Sequence, residues 1–486
     1  MNVRISESDY KTVRQLTSPS FQRHVKLPPE TGCLLLVAVN LNEQNPSLIV
    51  NEVLKPGAGD IAESATDGLV FSASYLRRAL FEVRERRVAG FLTLHTHPLA
   101  EEIVRFSGYD DYQDPFLMGN LHDLQPDGIF GSLVLGRNCI AGRLWPSSST
   151  EPAGLNRLMV VGERVQMFAL SGDPLPTAQP AELFDRALAL TGAGALSLLS
   201  KMRIGVIGTG GTGSLMIELL ARAGAGEILA FDFDVCEESN LNRVLHLRRS
   251  DVADRRLKTD RLAEVVADSG LPTSLVVAPG GDIRNAEVAG SLAGCDLLVG
   301  CVDRDWPRLI LCELAYQYLI PLIDLGTEIG VADANIQSLD SRVSLVGPGR
   351  PCLLCSGVVS LDRIRVEGYG TEEQERVLNM GYSADIRLNA PAVMDLNMRA
   401  ASMAMLIIRH LLQPFLATPL AHAYRETVTS FHVRSLRFTP RAECTICGTM
   451  RLGTGRAHTL TTRRTNGTCT HADGRQTDLN GFGTVL

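Results

Sequence analysis

The chain contains no long uncharged apolar run, although 45% of its 486 residues are hydrophobic. A membrane-spanning helix needs roughly 18 to 20 consecutive apolar residues, so the sequence predicts no membrane protein. The first ten residues are polar and charged and do not resemble a secretory signal peptide. Basic residues are not in excess either, because the formal net charge is -7. This balance argues against nucleic acid as the main partner.

The chain also lacks internal repeats and the cysteine density of a disulfide-stabilised protein. It has 11 cysteines in 486 residues, and four of them form two close pairs. Such usage is typical of a reducing compartment, so we expect a cytoplasmic protein. A chain of this length is expected to form two to four domains.

Breaks in the apolar pattern suggest where those domains divide. Strand-like runs and one helical segment fill the first part, and a Pro- and Ser-rich stretch near residue 150 interrupts them. From Lys201, strand-like and helix-like segments alternate, as in a parallel α/β sheet. The predicted division is 1–150 for a first domain, 151–200 for a linker and helical lead-in, 201–448 for an α/β domain, and 449–486 for a loosely ordered tail.

A glycine-rich turn opens the α/β part. The apolar run Arg203–Ile207 precedes Gly208-Thr-Gly-Gly-Thr-Gly213, and a helix-like segment follows it. A strand, a glycine turn and a helix in this order bind phosphate, because main-chain N–H groups at the helix start face the ligand. The turn alone would equally fit an NAD-binding domain, in which the charged residues nearby are solvated surface.

Two CxxC pairs lie downstream of the turn. Each pair places two thiols on one tight turn, and two such turns supply four ligands for a tetrahedral zinc ion. Four thiolates leave no open position, so the predicted zinc is structural. The alternative is two unrelated turns. The predicted ligands are Cys352, Cys355, Cys444 and Cys447.

Polar residues after the glycine turn narrow the interpretation. Asp232 ends the next strand, Asn240 and Arg243 lie in Glu238-Ser-Asn-Leu-Asn-Arg243, and Asp303 follows a later strand. With the cysteine pairs, this order resembles the ThiF-type adenylyltransferase family, which includes ubiquitin-activating enzymes and sulfur-carrier activators. The resemblance covers about Phe184 to Cys447.

The resemblance implies a Rossmann-like adenylyltransferase domain that uses ATP and Mg²⁺ and contains the structural zinc. Asp232 would hold the ribose, and Asp303 would bind magnesium. Arg186 would reach across a homodimer interface to the phosphates. Asn240, Arg243 and Lys258 would contact the triphosphate, and Arg255 and Arg256 are alternatives to Lys258 in this role. The nucleotide set comprises Gly208, Gly210, Gly211, Gly213, Asp232 and Asn240, with Arg243, Lys258, Asp303 and Arg186 as catalytic residues.

The first domain carries a second motif, His95-Thr-His97-Pro98. Histidines two residues apart on a strand point the same way and can share a metal ion. The motif resembles the JAMM (JAB/MPN) metalloprotease family and implies an α+β domain with a second Zn²⁺. His95, His97 and Asp110 would be ligands, with Asp111 competing, and Glu30 and Ser107 would be the general base and the oxyanion donor. A JAMM-like scaffold and a pair of unconnected core histidines are the alternatives.

The sequence leaves a thioester step open. Ubiquitin-activating enzymes use a cysteine in a loop that corresponds to 356–391, which has none here, and Cys469 in the tail is a weak candidate. Cys236, Cys295, Cys301 and Cys312 are expected in the core.

We therefore expect activation of a ubiquitin-like protein for conjugation, in which a JAMM-like domain binds or processes the same tail. A conjugating enzyme is a further partner, and a bacterial antiviral pathway is a possible context. Activation of a sulfur-carrier protein and a catalytically silent scaffold are the alternatives.

Overall fold

The structure is a computed structural model. It describes residues 1–22, 24–42, 45–147, 149, 151–175, 182–278, 282–333, 335–369, 376, 391–448, 452–456, 469–470 and 476–477. Within these ranges, no helix combines the length and the apolar character that crossing a membrane requires.

Among the described residues, nine strands of the first part of the chain pair into one sheet in the order β11-β10-β1-β3-β2-β6-β7-β8-β9. The strands are β1 (Asn2–Ser6), β2 (Gly32–Asn40), β3 (Ser47–Leu54), β6 (Gly90–Thr96), β7 (Ile129–Leu135), β8 (Ile140–Trp145), β9 (Ala153–Gly154), β10 (Arg157–Val161) and β11 (Val165–Ala169). The short strands β4 (Ile61–Ser64) and β5 (Leu69–Phe71) pair with each other. Helices α1 (Glu7–Thr17), α2 (Ala73–Arg86) and α3 (Gly108–Leu124) belong to this part.

This sheet extends beyond the boundary that the sequence predicts at residue 150. Strand β10 pairs in parallel with β1, the first strand of the chain, and β11 pairs with β10. Leu158, Met159, Val160 and Val161 are all buried, so they need the cover that the sheet provides. Residues 153–169 are thus part of the first sheet, within the segment predicted as linker, and the predicted helical lead-in follows as α4 (Asp185–Leu199).

A second sheet contains eight of the described strands, in the order β14-β13-β12-β15-β16-β17-β18-β19. Its strands are β12 (Arg203–Ile207), β13 (Glu227–Phe231), β14 (Ser274–Val277), β15 (Leu297–Gly300), β16 (Leu322–Ala332), β17 (Asn335–Val346), β18 (Ala423–Thr427) and β19 (His432–Leu436). The first five in sequence are parallel, and β17 to β19 are antiparallel. This is the mixed α/β, Rossmann-like sheet that the sequence predicts, and its strand order reverses between β12 and β15.

Helices connect and cover the second sheet. They are α5 (Gly211–Arg222), α6 (Arg249–Ala253), α7 (Lys258–Asp268), α8 (Ala286–Ser291), α9 (Asp305–Gln317), α10 (Leu361–Glu367) and α11 (Met394–Leu412). Helix α11 packs against α5, and its Ala400, Ala401 and Ala404 are fully buried in the same core cluster. In the tail, β20 (Cys469–Thr470) pairs with β21 (Gln476–Thr477).

The two sheets are joined by a buried arginine. The Arg4 guanidinium donates hydrogen bonds to the main-chain oxygens of Ala293, Cys295 and Tyr318, at 3.1, 2.8 and 3.2 Å, and lies 3.7 Å from Asp296. Arg157 donates to both carboxylate oxygens of Asp296, at 2.9 and 2.7 Å. Asp296 directly precedes β15, so the first sheet contacts the amino-terminal ends of the second sheet's parallel strands.

Candidate functional site

The glycine turn lies at the carboxyl end of β12, on the side of the second sheet that faces away from the first. Gly208 has φ +86°, a conformation that favours glycine. A Cβ at Gly213 would approach the Gly208 carbonyl oxygen to 1.8 Å, so the helix can start this close to the strand only with glycine there. Helix α5 begins at Gly211, and its first N–H groups have no acceptor within the helix. The turn therefore offers a site for phosphate.

Asp232 follows the carboxyl end of β13 and is held against the turn. The N–H and the hydroxyl of Thr209 donate to Asp232 Oδ2 at 2.7 and 3.0 Å. The N–H of Asp234 donates to the other oxygen at 2.9 Å. These bonds fix the carboxylate beside the predicted phosphate site, where a ribose hydroxyl can donate to it.

The structure brings two of the predicted cations towards this end of the sheet. Arg243 Cδ lies 3.7 Å from the point that a Cβ on Gly211 would occupy. Lys258, the first residue of α7, is buried, and its Nζ lies 2.8 Å from Asp234 Oδ2, beside the loop that carries Asp232. Asn240 is buried and closes a short turn by accepting from the N–H of Glu237 at 3.3 Å.

The alternatives to Lys258 face elsewhere. Arg256 forms ion pairs with Asp251 and Glu264. Arg255 is exposed and has φ +49°. Lys258 is therefore the better-placed cation of the three.

Asp303 lies beside the glycine turn, whereas Arg186 lies on α4 and has no polar contact with the site in the described part of the chain. Asp303 is exposed just beyond β15, the parallel neighbour of β12. The two strand ends meet, because a Cβ on Gly208 would come within 2.6 Å of the Cys301 carbonyl oxygen. Arg186 is exposed in the first turn of α4, and no residue of the described ranges forms a hydrogen bond or ion pair with it. The single chain thus assembles the predicted nucleotide residues around the strand-order reversal but does not connect Arg186 to them.

Two groups beside this site were not predicted. Asp324 on β16 is fully buried and accepts hydrogen bonds from Arg308 and Arg342, at 3.2 and 2.8 Å. Asn397 on α11 is buried against Gly211. An isolated Asn or Asp carries no motif, so the local sequence contains no signal that places either residue at the site.

The four predicted zinc ligands come together although their pairs are distant in sequence. Their Sγ atoms all lie within 4.8 Å of one another. Cys352 Sγ lies 3.5 Å from Cys444 Sγ, and Cys355 Sγ lies 3.5 Å from Cys447 Sγ. Two unrelated turns would not converge in this way. Four sulfurs at this spacing fit a tetrahedral metal site and could hold zinc.

The thiols of this cluster differ in their pKa values. Burial raises the pKa of Cys444, but the N–H groups of Cys447 and Ile446 outweigh it and lower the pKa to about 7. Burial among other thiols raises the pKa of Cys352 well above its usual range. Metal binding requires thiolates, so an ion at this site would have to displace the proton of the Cys352 thiol.

The histidines of the first sheet form a second cluster at the carboxyl end of β6. His95 Nε2 and His97 Nε2 are 3.3 Å apart. Asp110 reaches both, with oxygens 3.1 Å from His95 Nε2 and 3.3 Å from His97 Nε2. Glu30 Oε1 lies 3.9 Å from His97 Nε2. The histidines are therefore not unconnected core residues, and both Nε2 atoms face the same carboxylates.

Local hydrogen bonds orient the carboxylate of this cluster. Ser107 caps α3, and its N–H and hydroxyl donate to Asp110 Oδ2 at 2.7 and 2.8 Å. Asp111, the alternative ligand, instead pairs with Arg143 at 2.6 Å. The capping box of α3 thus selects Asp110 as the carboxylate that faces the histidines.

The charges in the cluster are strongly coupled. Burial raises the pKa of Glu30 to about 7, a value suited to proton transfer near neutral pH. Burial alone would also raise the pKa of Asp110, but hydrogen bonds from His95 and His97 hold it well below its usual range. Burial lowers the pKa of His95, yet Asp110 and Glu30 outweigh it and the net shift is upward. Two histidines and two carboxylates around one point can hold a divalent ion such as zinc.

The other cysteines that the sequence placed in or beside Rossmann elements do lie there. Cys236, Cys295 and Cys312 are buried and Cys301 is half-buried. Burial raises the pKa of Cys295 and of Cys301 to about 12, so neither thiol is a ready nucleophile. Cys469 lies in strand β20, while most of the loop 356–391 lies outside the described residues.

The ThiF family model matches residues 184–446, more than half of the 486-residue chain. The chain is 25% identical over 189 residues to ubiquitin-like modifier-activating enzyme 5 of Oryza sativa subsp. japonica, covering 36% of this chain and 42% of that protein. It is 32% identical over 170 residues to adenylyltransferase and sulfurtransferase UBA4 of Yarrowia lipolytica, covering 34% of this chain and 38% of that protein. The chain thus spans less than half the length of these two relatives.

Among solved structures, Escherichia coli MccB shares 18% identity with a TM-score of 0.44, covering 57% of this chain and 75% of that one. The family match begins in the turn before α4 and ends within the second cysteine pair, so it contains the glycine turn and Asp303. These limits agree with the resemblance predicted from the sequence. The chain therefore belongs to the ThiF family.

Proposed function

We propose that the chain adenylates the C-terminal carboxylate of a ubiquitin-like protein or a peptide, with ATP and Mg²⁺. The observation that carries the proposal is the convergence of the glycine turn, Asp232 and Arg243 at the carboxyl ends of β12 and β13. That end of a doubly wound sheet is where nucleotides bind.

In this reaction a carboxylate oxygen of the partner attacks the α-phosphorus of ATP. The bond from that phosphorus to the bridging oxygen breaks, and pyrophosphate leaves with the electron pair while the acyl adenylate remains. Arg243 and Lys258 would neutralise the charge that develops on the phosphates, and Asp303 would hold the magnesium ion. No covalent enzyme intermediate is needed, so positioning and electrostatics supply the catalysis.

ATP–pyrophosphate exchange with candidate ubiquitin-like proteins, such as those encoded beside this chain, tests the proposal. We expect partner-dependent exchange for the wild type and its loss in Asp303→Ala. Asp268→Ala is the matched control, because Asp268 is exposed at the end of α7, away from the strand ends. Exchange that persists in Asp303→Ala would remove that residue from the mechanism. Absence of exchange with every candidate would favour a binding scaffold.

The product would distinguish conjugation from sulfur-carrier activation. The loop 356–391, where ubiquitin-activating enzymes carry their cysteine, contains none in this sequence. This favours release of the adenylate to a thiol or sulfide that another protein provides. A thioester on a conjugating enzyme would support the first function, and a thiocarboxylate on the partner would support the second.

We further propose that the first sheet carries a JAMM-like metal site, with His95, His97 and Asp110 as ligands. A zinc ion bound there would activate water for hydrolysis. Glu30 would take up the proton, since its pKa is about 7, and Ser107 would orient Asp110 or support the oxyanion. The shared orientation of the two Nε2 atoms supports this assignment.

Metal analysis of His97→Ala, with the exposed His24→Ala as control, tests the metal site. We expect the first variant to lose one metal ion per chain and the control to keep it. Cleavage of a partner that carries residues beyond its terminal glycine tests hydrolysis separately. Metal without cleavage would leave the site as a scaffold.

Several finer predictions complete the proposed function. The cysteine cluster would hold a structural zinc, and Arg186 would reach the phosphates of a second subunit in a homodimer. The division of the chain into a JAMM-like and an adenylating domain, the conjugating enzyme, the cytoplasmic location and the antiviral context stay predictions.

A further inference from the structure

A buried amide faces the glycine turn from a helix that carries none of the predicted nucleotide residues. Asn397 lies in the first turns of α11 and is 3% exposed. Its Oδ1 accepts a hydrogen bond from the Thr327 hydroxyl at 3.2 Å. This bond directs the other end of the amide, Nδ2, away from β16.

Nδ2 lies directly over the start of α5. A Cβ on Gly211 would come within 2.2 Å of it, so only glycine allows the amide to be this close. Arg243 Cδ lies 3.7 Å from the same point. Asn397 and Arg243 therefore flank the helix start at which the proposed phosphate site lies.

The amide is held in place but its donor is not used. Helix α11 packs against α5, and its fully buried alanines at 400, 401 and 404 belong to the same hydrophobic core as α5, so the helix that carries Asn397 is held in place. Within the described ranges, no acceptor forms a hydrogen bond with Nδ2. The side chain is buried as a whole, and a phosphate oxygen above the helix start would give Nδ2 an acceptor in place of solvent.

We propose that Asn397 Nδ2 donates a hydrogen bond to a phosphate oxygen of the bound nucleotide. The inference rests on the proposed adenylation function and adds a neutral donor to the charged groups of that site. Thr327 acts as a positioning residue, since its hydroxyl determines which end of the amide faces the ligand.

Nucleotide affinity of the folded chain tests the role, measured by calorimetry with ATP and with adenosine. Asn397→Asp keeps the shape and replaces the donor by a negative charge. We expect at least about a tenfold loss of ATP affinity, since hydrogen bonds to charged groups contribute about that factor or more. Adenosine has no phosphate, so its affinity should not change. Asn285→Asp adds the same charge at a helix cap that accepts aspartate equally well, and it should bind ATP like the wild type.

The outcomes separate this inference from the function on which it rests. A wild-type chain that binds no ATP would overturn both. If the wild type binds ATP and Asn397→Asp binds it equally well, the inference alone is overturned. Equal losses for ATP and adenosine would indicate a structural role and would also overturn it. Should Asn397→Asp not fold, Asn397→Ala gives the same comparison without a buried charge, and it should still lose ATP affinity selectively.

Discussion

Replacement of Arg4 by methionine should destabilise the contact between the two sheets. Methionine retains an unbranched side chain but donates no hydrogen bond. The main-chain oxygens of Cys295 and Tyr318 would lose their donor, and that of Ala293 would keep only the Asn40 amide, at 2.9 Å. Asp296 would keep Arg157, so the cost comes mainly from the two unpaired oxygens, at about 1.5 kcal/mol each. The sum is about 3 kcal/mol, at the lower end of the range for breaking a buried ionic network.

Thermal unfolding of the full chain measures the effect. For a domain of roughly the first sheet's size, about 3 kcal/mol corresponds to a decrease in Tm of roughly 6–12 °C. Arg77→Met is the matched control, because Arg77 is exposed on α2, and its Tm should stay near the wild-type value. A decrease below about 2 °C in Arg4→Met would refute the reasoning, because it would mean that water or neighbouring groups replace the guanidinium without cost.

Three further predictions concern the second sheet. Cys444→Ser should abolish stoichiometric zinc in the cysteine cluster, and full zinc content by metal analysis would contradict the assignment. Burial lowers the pKa of His410, whose Nδ1 accepts from two main-chain N–H groups. The unfolded chain therefore binds the proton more readily than the folded chain does. The unfolding temperature should fall as the pH decreases below about 6.5, and it should fall less in His410→Gln. Equal pH dependence of the unfolding temperature in wild type and variant would count against this reasoning. Gly213→Ala should destabilise the chain and weaken ATP binding, whereas Gly290→Ala, with open space around it, should not; equal ATP affinities would argue against the tight turn.

Elements that have a recognisable local sequence pattern could be predicted from the sequence. The apolar runs that became β2, β6, β12 and β13 are buried strands in the structure. The glycine turn and the paired cysteines were also recognisable, because their spacing alone carries the chemistry. The two CxxC pairs predicted one four-cysteine site, although nothing between Cys352 and Cys444 in sequence indicates how the chain brings them together.

Elements stabilised by distant partners could not be predicted locally. Strand β1 contains Arg4 and has a polar sequence. It is nevertheless buried, because the main-chain oxygens that accept from the Arg4 guanidinium lie about 290 residues further along the chain. Strand β10 pairs with β1, so its position in the first sheet could not be predicted from local sequence either. Asn397 shows the same limit within the site, because Gly211, which its amide faces, is distant from it in sequence.

The separation of the cysteine pairs has a consequence for synthesis of the chain. Cys352 and Cys444 lie 92 residues apart, and α11, β18 and β19 all lie between them. At about 5–20 residues per second, the first pair of thiols leaves the ribosome roughly 5–20 s before the second. During that interval the zinc ion proposed for this cluster would meet only two of its four ligands. This part of the chain should therefore complete its fold only after the second cysteine pair has emerged.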